Sequence, residues 1–241
     1  MILAVDTSCY TTSMIVIDSE TGKVQFEMNK NLSVKPGERG LRQSEGFFQH
    51  MYQLTETYEQ LCRQIDVKRI KTVAVSSRPR TVENSYMPVF HAGLLFCTNV
   101  SNTLSVPLLQ YSHQDGHLMA AVTTSTLDEL PKRFYGLHLS GGTTEVLDVL
   151  SLEDGFQVDI LGGTLDLNFG QLIDRIGVQM GLSFPCGKEM DMLAQTIEHQ
   201  DYFKVKFKTE TTFNLSGYEN KYMALIQEQA TNYISRHLFN T

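Results

Sequence analysis

The apolar and polar positions of the chain follow two periods, one of two residues and one of about 3.6, and these divide it into strands and helices. Polar turns separate the apolar runs near the start, which is typical of short consecutive strands. The first half is predicted to contain, in order, strands at 2–6, 12–18 and 24–31, a helix over 44–64, a strand at 72–76, a helix over 87–104, a strand at 107–111 and a helix from Ser112.

The pattern restarts after a polar segment at residues 123–132. The second half is predicted to contain strands at 134–140, 144–150 and 156–161 and helices over 166–182, 187–199 and 217–238. We therefore expect an α/β protein of two lobes, with domains at residues 1–125 and 126–241. Three strands and three helices are few for a complete lobe, so we expect an incomplete second lobe in a C-terminally truncated chain.

The composition narrows the possible classes of protein. Apolar residues make up 41% of the 241-residue chain, which is enough for a sizeable core. No apolar run reaches the roughly 18–20 residues of a membrane span, and no signal peptide opens the chain, so we expect a cytoplasmic protein without membrane contact. The cysteines contain no C-x-x-C pair and are expected to be reduced; they are Cys9, Cys62, Cys97 and Cys186.

The charge of the chain bears on its partners. A net charge of −7 argues against a freestanding nucleic-acid binder, which usually carries a basic surplus. Residues 202–208 are a local exception, because a strand there would place Lys204, Lys206 and Lys208 on one face. A half-buried strand with a solvated face and a contact with RNA are both open interpretations of this segment.

The segment from Ser112 to His117 carries the sharpest chemical signal. Ser112 followed by Asp115 is similar to a capping box that starts a helix. His113 and His117 then lie four residues apart on one helix face, close enough to share a metal ion. The alternative is two ordinary surface histidines at a chance helical spacing. A third ligand from His138, which shares a strand face with Ser140, is a further hypothesis.

Small residues follow several predicted strands and could bind phosphate. The turns are Asp6-Thr7-Ser8, Ser140-Gly141-Gly142-Thr143-Thr144 and Gly162-Gly163-Thr164. Glycines let backbone N–H groups approach a phosphate closely, and hydroxyl groups add donors. Ordinary hairpin turns have the same composition, so each turn alone is a weak signal. One such turn in each lobe favours a cleft that binds phosphate from both sides.

The predicted helix over 166–182 has a second, small and polar face. Asp166, Gly170, Asp174 and Gly177 lie on it, apart from an apolar stripe that includes Leu165. Aspartates beside glycines could bind the two hydroxyl groups of a ribose. The alternative is a helix side that faces water.

Together these segments resemble the universal tRNA threonylcarbamoyladenosine synthase family, formerly known as O-sialoglycoprotein endopeptidase or glycoprotease. The resemblance implies the actin-like ATPase fold, shared with sugar kinases and heat-shock chaperones, in two lobes of which the second is incomplete. The matching stretches follow the family order over nearly the whole chain: Val5-Asp6-Thr7-Ser8-Cys9, His113 with Gly116 and His117, Leu139–Gly142, Leu161-Gly162 with Asp166, Gly170 and Asp174, Phe184–Gly187 with Asp191, and Phe213–Gly217.

The resemblance also implies an activity and its ligands. Family members transfer a threonylcarbamoyl group from its adenylate to adenine N6 in tRNA. By resemblance, His113 and His117 bind iron or zinc, and an adenine nucleotide, either ATP with Mg²⁺ or threonylcarbamoyl-adenylate, lies with the metal in the cleft between the lobes. The implied substrate contacts are His138, Leu139, Ser140, Gly141 and Gly142 on the phosphate and carbamoyl part, and Asp174, Gly187 and Asp191 on the nucleoside.

Three departures from the family pattern keep alternatives open. Tyr10 replaces the usual aspartate of the first turn, Thr143 replaces histidine or asparagine, and Arg78-Pro79-Arg80 replaces a Gly-Pro-Gly loop. The altered first turn and the Arg/Pro loop favour a carbamoyl transferase with a small-molecule acceptor. The expected truncation favours a non-catalytic protein that binds nucleotide or a sister subunit. We expect tRNA contact only with a partner protein, and contact with a sister subunit or a second copy. Proteolysis is not expected, because the chain has no H-E-x-x-H motif.

Overall fold

The structure is a computed structural model that describes residues 1–8, 10–34, 41–127, 129–196, 198, 202–226 and 231–240. The chain divides into two compact units. Unit 1 comprises Met1–Leu130 with Leu152–Phe156, and unit 2 comprises Pro131–Ser151 with Gln157–Thr241.

Unit 1 contains a five-stranded sheet with the strand order β3-β2-β1-β4-β5. The first three strands are antiparallel neighbours, whereas β4 lies parallel to both β1 and β5. Its elements are β1 (Ile2–Asp6), β2 (Thr11–Ile17), β3 (Val24–Asn31), α1 (Gln43–Gln64), β4 (Thr72–Arg78), α2 (Pro88–Leu104), β5 (Leu108–Ser112) and α3 (His113–Thr123).

The alternation of side chains in β1, β2 and β4 determines where the core of unit 1 lies. Every second residue of β1 and β2 is buried, including Leu3 and Met14, and in β4 the buried residues are Val73 and Val75. They form one hydrophobic cluster with Leu54 of α1 and Cys97 of α2. Because β1, β4 and β5 are parallel, their carboxyl ends lie at the same edge of the sheet, where ligands of α/β proteins commonly bind.

Unit 2 contains a four-stranded sheet with the order β6-β7-β8-β9, in which β6 and β7 are antiparallel and β8 and β9 are parallel. Its hydrophobic cluster includes Leu172, Ile176, Met190, Tyr222 and Leu238. Its elements are β6 (Arg133–Leu139), β7 (Thr144–Leu152), β8 (Gly155–Thr164), α4 (Phe169–Gln179), α5 (Gly187–Ala194), β9 (Thr212–Phe213), α6 (Ser216–Ile226) and α7 (Thr231–Asn240).

The observed elements confirm the predicted α/β class, and the strand order of unit 1 is that of the actin-like fold. Most predicted elements are found within two or three residues of their expected ends. The single helix expected over 217–238 corresponds to α6 and α7, and residues 227–230 lie outside the described part. No helix of the described residues is long and apolar enough to cross a membrane.

Three local predictions are wrong. The helix expected from 166 begins at Phe169, because Asn168 is its N-cap and forms a capping box with Gln171. Leu165 therefore lies outside the helix, and its side chain is 60% exposed rather than buried. The segment 202–208 is not a strand; Tyr218 accepts a hydrogen bond from Lys206 N and donates one to the Lys204 carbonyl instead.

Candidate functional site

The capping box predicted at Ser112 is present and starts α3. The Ser112 hydroxyl accepts a hydrogen bond from Asp115 N at 3.0 Å, and the Asp115 carboxylate accepts one from Ser112 N at 2.8 Å. Thr81 donates a further hydrogen bond to Asp115 at 3.0 Å. These contacts fix the first turn of α3 at the carboxyl end of β5, and this turn carries His113.

The imidazole rings of His113 and His117 face each other across one turn of α3. Their Nε2 atoms are 2.8 Å apart. At its other nitrogen, His113 Nδ1 lies 2.9 Å from Oδ2 of Asp6, at the end of β1. The structure thus joins Asp6, His113 and His117 in one row at the edge of the unit 1 sheet.

Hydrogen bonds at both oxygens fix the position of the Asp6 carboxylate. Its Oδ1 accepts a hydrogen bond from Ser8 N at 2.7 Å. Burial by itself would raise the pKa of Asp6, but hydrogen bonds from His113, Ser76 and Ser8 hold this pKa well below its usual range. Asp6 is therefore an ionised carboxylate, which accepts hydrogen bonds and donates none.

The histidine pair fits a divalent metal ion. Zinc–imidazole bonds are about 2.0–2.1 Å long, so two of them can reach one ion from nitrogens 2.8 Å apart. Imidazole suits zinc and iron alike. Within the described residues no group of three or more His, Cys, Asp and Glu side chains could hold a metal together. The two histidines are therefore a partial ligand set that leaves other positions open.

Thr7, expected in a phosphate-binding turn, is instead part of the core of unit 1. Its side chain is fully buried; the hydroxyl donates to the Val89 carbonyl at 2.9 Å and accepts from Gly93 N at 3.1 Å. This geometry ties the first turn to α2 and does not support contact of the Thr7 hydroxyl with a substrate. In the same turn, the backbone N–H of Ser8 donates a hydrogen bond to the Asp6 carboxylate. Cys9 lies outside the described residues.

The double-glycine turn of unit 2 lies against the start of α4. Gly170 N donates to the Ser140 carbonyl at 3.2 Å, and Phe169 N donates to the Thr144 hydroxyl at 2.7 Å. A Cβ atom added to Gly141 or Gly142 would meet nothing within 4 Å. The turn is therefore fixed by α4, while the space beside its two glycines is open to a ligand.

Asp166 and Gly170, expected to contact ribose, have structural roles in unit 2. The Asp166 carboxylate accepts hydrogen bonds from Leu167 N at 2.6 Å and Leu215 N at 2.8 Å, and from Ser216 at the start of α6. A Cβ atom on Gly170 would lie 2.7 Å from Gly141 N. Glycine is needed at 170 for close packing, so neither residue is supported as a ribose ligand.

The predicted nucleoside contacts of unit 2 lie near one another at the start of α5. Asp174 Oδ1 accepts a hydrogen bond from Cys186 N at 2.8 Å, directly before Gly187. A Cβ atom on Gly187 would meet nothing within 4 Å. Asp191, one turn further along α5, is exposed and accepts a hydrogen bond from Gln195 at 2.9 Å. Asp174 is thus tied to the start of α5, and Gly187 and Asp191 lie about one turn apart on that helix.

The profile of TsaD, tRNA N6-adenosine threonylcarbamoyltransferase, matches residues 44–238. The chain belongs to the TsaD family. The resemblance inferred from the motifs is thereby confirmed.

Curated TsaD relatives match nearly the whole chain at low identity. The tRNA N6-adenosine threonylcarbamoyltransferase of Streptococcus gordonii is 29% identical over 228 residues, which cover 93% of this chain and 65% of the relative. That of Persephonella marina is 26% identical over 240 residues, with 94% and 65% covered. The chain thus spans about 65% of the length of these TsaD relatives.

Two solved structures share parts of the chain trace with this TsaD family member. YeaZ from Pseudomonas aeruginosa is 13% identical and has a TM-score of 0.43, with 66% of this chain and 63% of that chain covered. A PPX-GPPA enzyme from Aquifex aeolicus is 16% identical and has a TM-score of 0.40, with 80% and 62% covered. At TM-scores below 0.5, neither likeness carries an argument about this chain.

His138 and Leu139, two further expected TsaD substrate contacts, lie at the end of β6. His138 is half-buried and lies opposite Glu145 in the register of β6 and β7, so both side chains share one face of the sheet. Leu139 is 46% exposed. The role of His138 as a third metal ligand stays a prediction.

Sequence reasoning missed the contact between Asp6 and His113. A signal for it was present, because β1 and the strand before His113 are both parallel to β4 and end at the same sheet edge. The contact crosses 107 positions of the chain, so no local spacing reveals it.

Proposed function

We propose that this TsaD-family chain binds a divalent cation through His113 and His117 and an adenine nucleotide through unit 2, and serves in threonylcarbamoyl transfer to tRNA. The observation that carries the proposal is the pair of Nε2 atoms 2.8 Å apart, with the carboxylate of Asp6 on the remaining nitrogen of His113. A ligating histidine almost always donates its other ring N–H to a carboxylate, a carbonyl or water, and the contact of His113 Nδ1 with Asp6 has this form.

In this proposal each group of residues has a separate task. The bound cation would supply Lewis-acid polarisation of the carbamoyl oxygen. Gly141 and Gly142 leave space for the phosphate of the adenylate, and their backbone N–H groups would donate to it. Asp174, Gly187 and Asp191 would contact the nucleoside. His138 and Ser140 would border the carbamoyl part.

The reaction so proposed is an acyl transfer. Adenine N6 attacks the carbamoyl carbon, a C–N bond forms, and the C–O bond to the phosphate breaks. AMP leaves with the electron pair of that bond, and the proton lost from N6 passes to water. Binding groups aligned with the developing charge lower the barrier more than groups that bind the ground state equally well.

The charge of the chain supports a partner protein in tRNA binding. With a net charge of −7, it has no basic surplus to neutralise phosphates. We propose that a partner protein supplies the basic surface for tRNA, and that the chain separately contacts a sister subunit or a second copy.

Metal and nucleotide titrations of the purified chain test the proposal. Wild type should bind one equivalent of Zn²⁺ and of AMP in calorimetry. His113→Ala with His117→Ala should remove metal binding and leave AMP binding intact. The matched control is His91→Ala, which changes a histidine of α2 outside the site and should bind both as wild type does.

Nucleoside analysis tests the reaction itself. The chain, with a partner protein from the same cell, would be incubated with tRNA and threonylcarbamoyl-adenylate, and the digested tRNA examined by mass spectrometry. Threonylcarbamoyladenosine that depends on His113 supports the proposal. Binding of neither metal nor AMP contradicts it and leaves a non-catalytic protein that binds partners.

The loop Arg78-Pro79-Arg80 favours a second candidate, a carbamoyl transferase with a small anionic acceptor. Arg78 lies opposite Ser112 in the β4–β5 register, and the Pro79 carbonyl accepts a hydrogen bond from Gln114 N at 3.1 Å. The backbone of this loop therefore borders the first turn of α3, and the loop carries two arginines, whose guanidinium groups bind carboxylates and phosphates well. Carbamoyl transfer to a small acid, lost in Arg78→Ala, would favour this candidate over tRNA.

A further inference from the structure

Asp6 belongs to the motif expected to contact nucleotide phosphate, yet its carboxylate is directed elsewhere. Oδ2 lies 2.9 Å from His113 Nδ1, and Oδ1 accepts the N–H of Ser8 at 2.7 Å. An anionic carboxylate would repel phosphate and has no donor for it. These contacts give Asp6 a different task.

The carboxylate determines which nitrogen of His113 carries the proton. An aspartate is ionised at neutral pH and then only accepts hydrogen bonds, so in the 2.9 Å contact Nδ1 of His113 is the donor. A neutral imidazole then has its lone pair on Nε2, the atom that faces His117. This lone pair is the one that a metal ion requires.

The backbone around Asp6 makes this orientation rigid. Asp6 is paired with Ser13 of β2, and the preceding residue, Val5, is paired with Val75 of β4. The capping box fixes the position of His113 independently at the start of α3. Both ends of the hydrogen bond are thus anchored in the sheet edge, and the ring of His113 has little freedom to turn.

We propose that Asp6 is a positioning residue for a metal ion, which orients His113 and fixes its proton on Nδ1 so that Nε2 is preorganised as a ligand. The inference rests on the proposed function, since it assumes that His113 and His117 bind the ion. It deepens that function by assigning Asp6 to the metal site and removing it from the nucleotide site. Carboxylate partners of ligating histidines change metal affinity by about 10- to 100-fold.

Cobalt titration of matched variants tests this role. Wild type, Asp6→Asn and Asp18→Asn would be titrated with Co²⁺ by calorimetry and by the visible absorption of the bound ion. Asp18 is the control, because it also accepts backbone N–H groups after a strand of unit 1, at Glu20 and Thr21, but is remote in sequence from the histidines. We expect Asp6→Asn to weaken Co²⁺ binding by about 10- to 100-fold. Asp18→Asn should change it less than about twofold.

Three outcomes of the titration separate the inference from the proposed function. Weaker Co²⁺ binding in Asp6→Asn with unchanged AMP affinity supports it. If His113→Ala loses Co²⁺ but Asp6→Asn binds it as wild type does, the role of Asp6 is overturned while the metal site stands. If wild type binds no Co²⁺, both the metal site and the role of Asp6 are overturned.

A second measurement needs neither metal nor a folded variant. In the metal-free wild-type chain at pH 8, the ¹⁵N shifts of the histidine rings identify which nitrogen of His113 is protonated. The inference requires the proton on Nδ1 of His113 and, across the 2.8 Å contact, on Nε2 of His117. A His113 ring protonated on Nε2 would overturn the inference even if Asp6→Asn failed to fold.

Discussion

The glycines of unit 2 are of two physical kinds. A Cβ atom added to Gly170 would lie 2.7 Å from Gly141 N, and one added to Gly177 would lie 2.4 Å from Cβ of Cys186. At Gly141 and Gly142 the same atom would meet nothing within 4 Å. The first pair is therefore required by packing, whereas the second leaves room beside a backbone turn.

Alanine substitutions should separate these two kinds. Gly170→Ala forces the turn away from α4 and should lower the free energy of unfolding by about 1–3 kcal/mol. Gly142→Ala should change stability by less than about 0.5 kcal/mol but weaken AMP binding, because the new methyl group enters the proposed phosphate site. Urea unfolding and calorimetry with AMP measure the two effects. Unchanged AMP affinity in a folded Gly142→Ala would argue against a phosphate at this turn.

Asp166 shows how a carboxylate in a motif that predicts ligand contact can act on stability instead. Partial burial would raise its pKa, but hydrogen bonds from Ser216, Leu215 and Leu167 outweigh this and lower the pKa from 3.8 to about 2. Because the folded-state pKa is the lower one, the carboxylate stabilises the folded chain above about pH 4. This contribution is lost as the pH falls from about 4 to about 2.

The substitution Asp166→Asn should therefore remove part of the acid sensitivity of unit 2. At pH 7 it should cost about 1 kcal/mol, the usual value of a helix N-cap contact, and the difference from wild type should shrink below about pH 4. Thermal unfolding between pH 2 and pH 7 measures it. Asp159→Asn, at an exposed position of β8, is the control and should follow the wild-type curve. A difference that does not change with pH would contradict this role of Asp166.

At the scale of elements, α3 depends on a cap that also builds the candidate site. Its N-cap Ser112 is fully buried and exchanges hydrogen bonds with Asp115. Ser112→Ala should cost about 1–2 kcal/mol and speed hydrogen exchange in the first turn of α3. The control Ser125→Ala removes a hydroxyl just after the other end of the same helix and should change stability by less than about 0.5 kcal/mol. Equal effects of the two would show that the cap does not hold this helix.

The elements that could be predicted from the sequence are those whose signals are local. Period and capping residues are read within a few positions, so β1, α1 and the start of α3 are close to their predicted ends. The prediction of a strand at 202–208 is wrong because the backbone there is hydrogen-bonded in another way. Lys206 N donates to the hydroxyl of Tyr218, and this hydroxyl donates to the Lys204 carbonyl, in place of a strand ladder. Phe203 packs on Tyr222 of α6, a contact that no short window contains.

The residues of the candidate site also divide into those that local signals predict and those whose role depends on distant contacts. His113 and His117 are four residues apart in one helix, so their pairing follows from helical geometry alone. Thr7 and Asp166 lie in motifs that predict ligand contacts, but their partners Val89 and Leu215 are distant in the chain. The structural use of a polar side chain is therefore hidden from sequence, whereas its chemical type is not.

At the scale of the whole molecule, each compact unit has a hydrophobic cluster of its own. Leu54 belongs to the cluster of unit 1 and Leu172 to that of unit 2, and both side chains are fully buried. The two clusters share no residue. A cavity made in one cluster should therefore loosen the elements of that unit first, because packing contacts act over short distances.

The matched substitutions Leu54→Ala and Leu172→Ala test this division. Each should cost about 2–5 kcal/mol, the usual range for a buried leucine. Hydrogen exchange followed by mass spectrometry should show faster exchange in α2 and β4 for Leu54→Ala, and in α4 and α6 for Leu172→Ala. Leu165→Ala, at a side chain that is 60% exposed, should leave both units within about 0.5 kcal/mol of wild type. If either core substitution speeded exchange equally in both units, the chain would unfold as one cooperative body despite its two separate cores. Destabilising variants could then no longer be used to assign AMP binding to one unit and metal binding to the other.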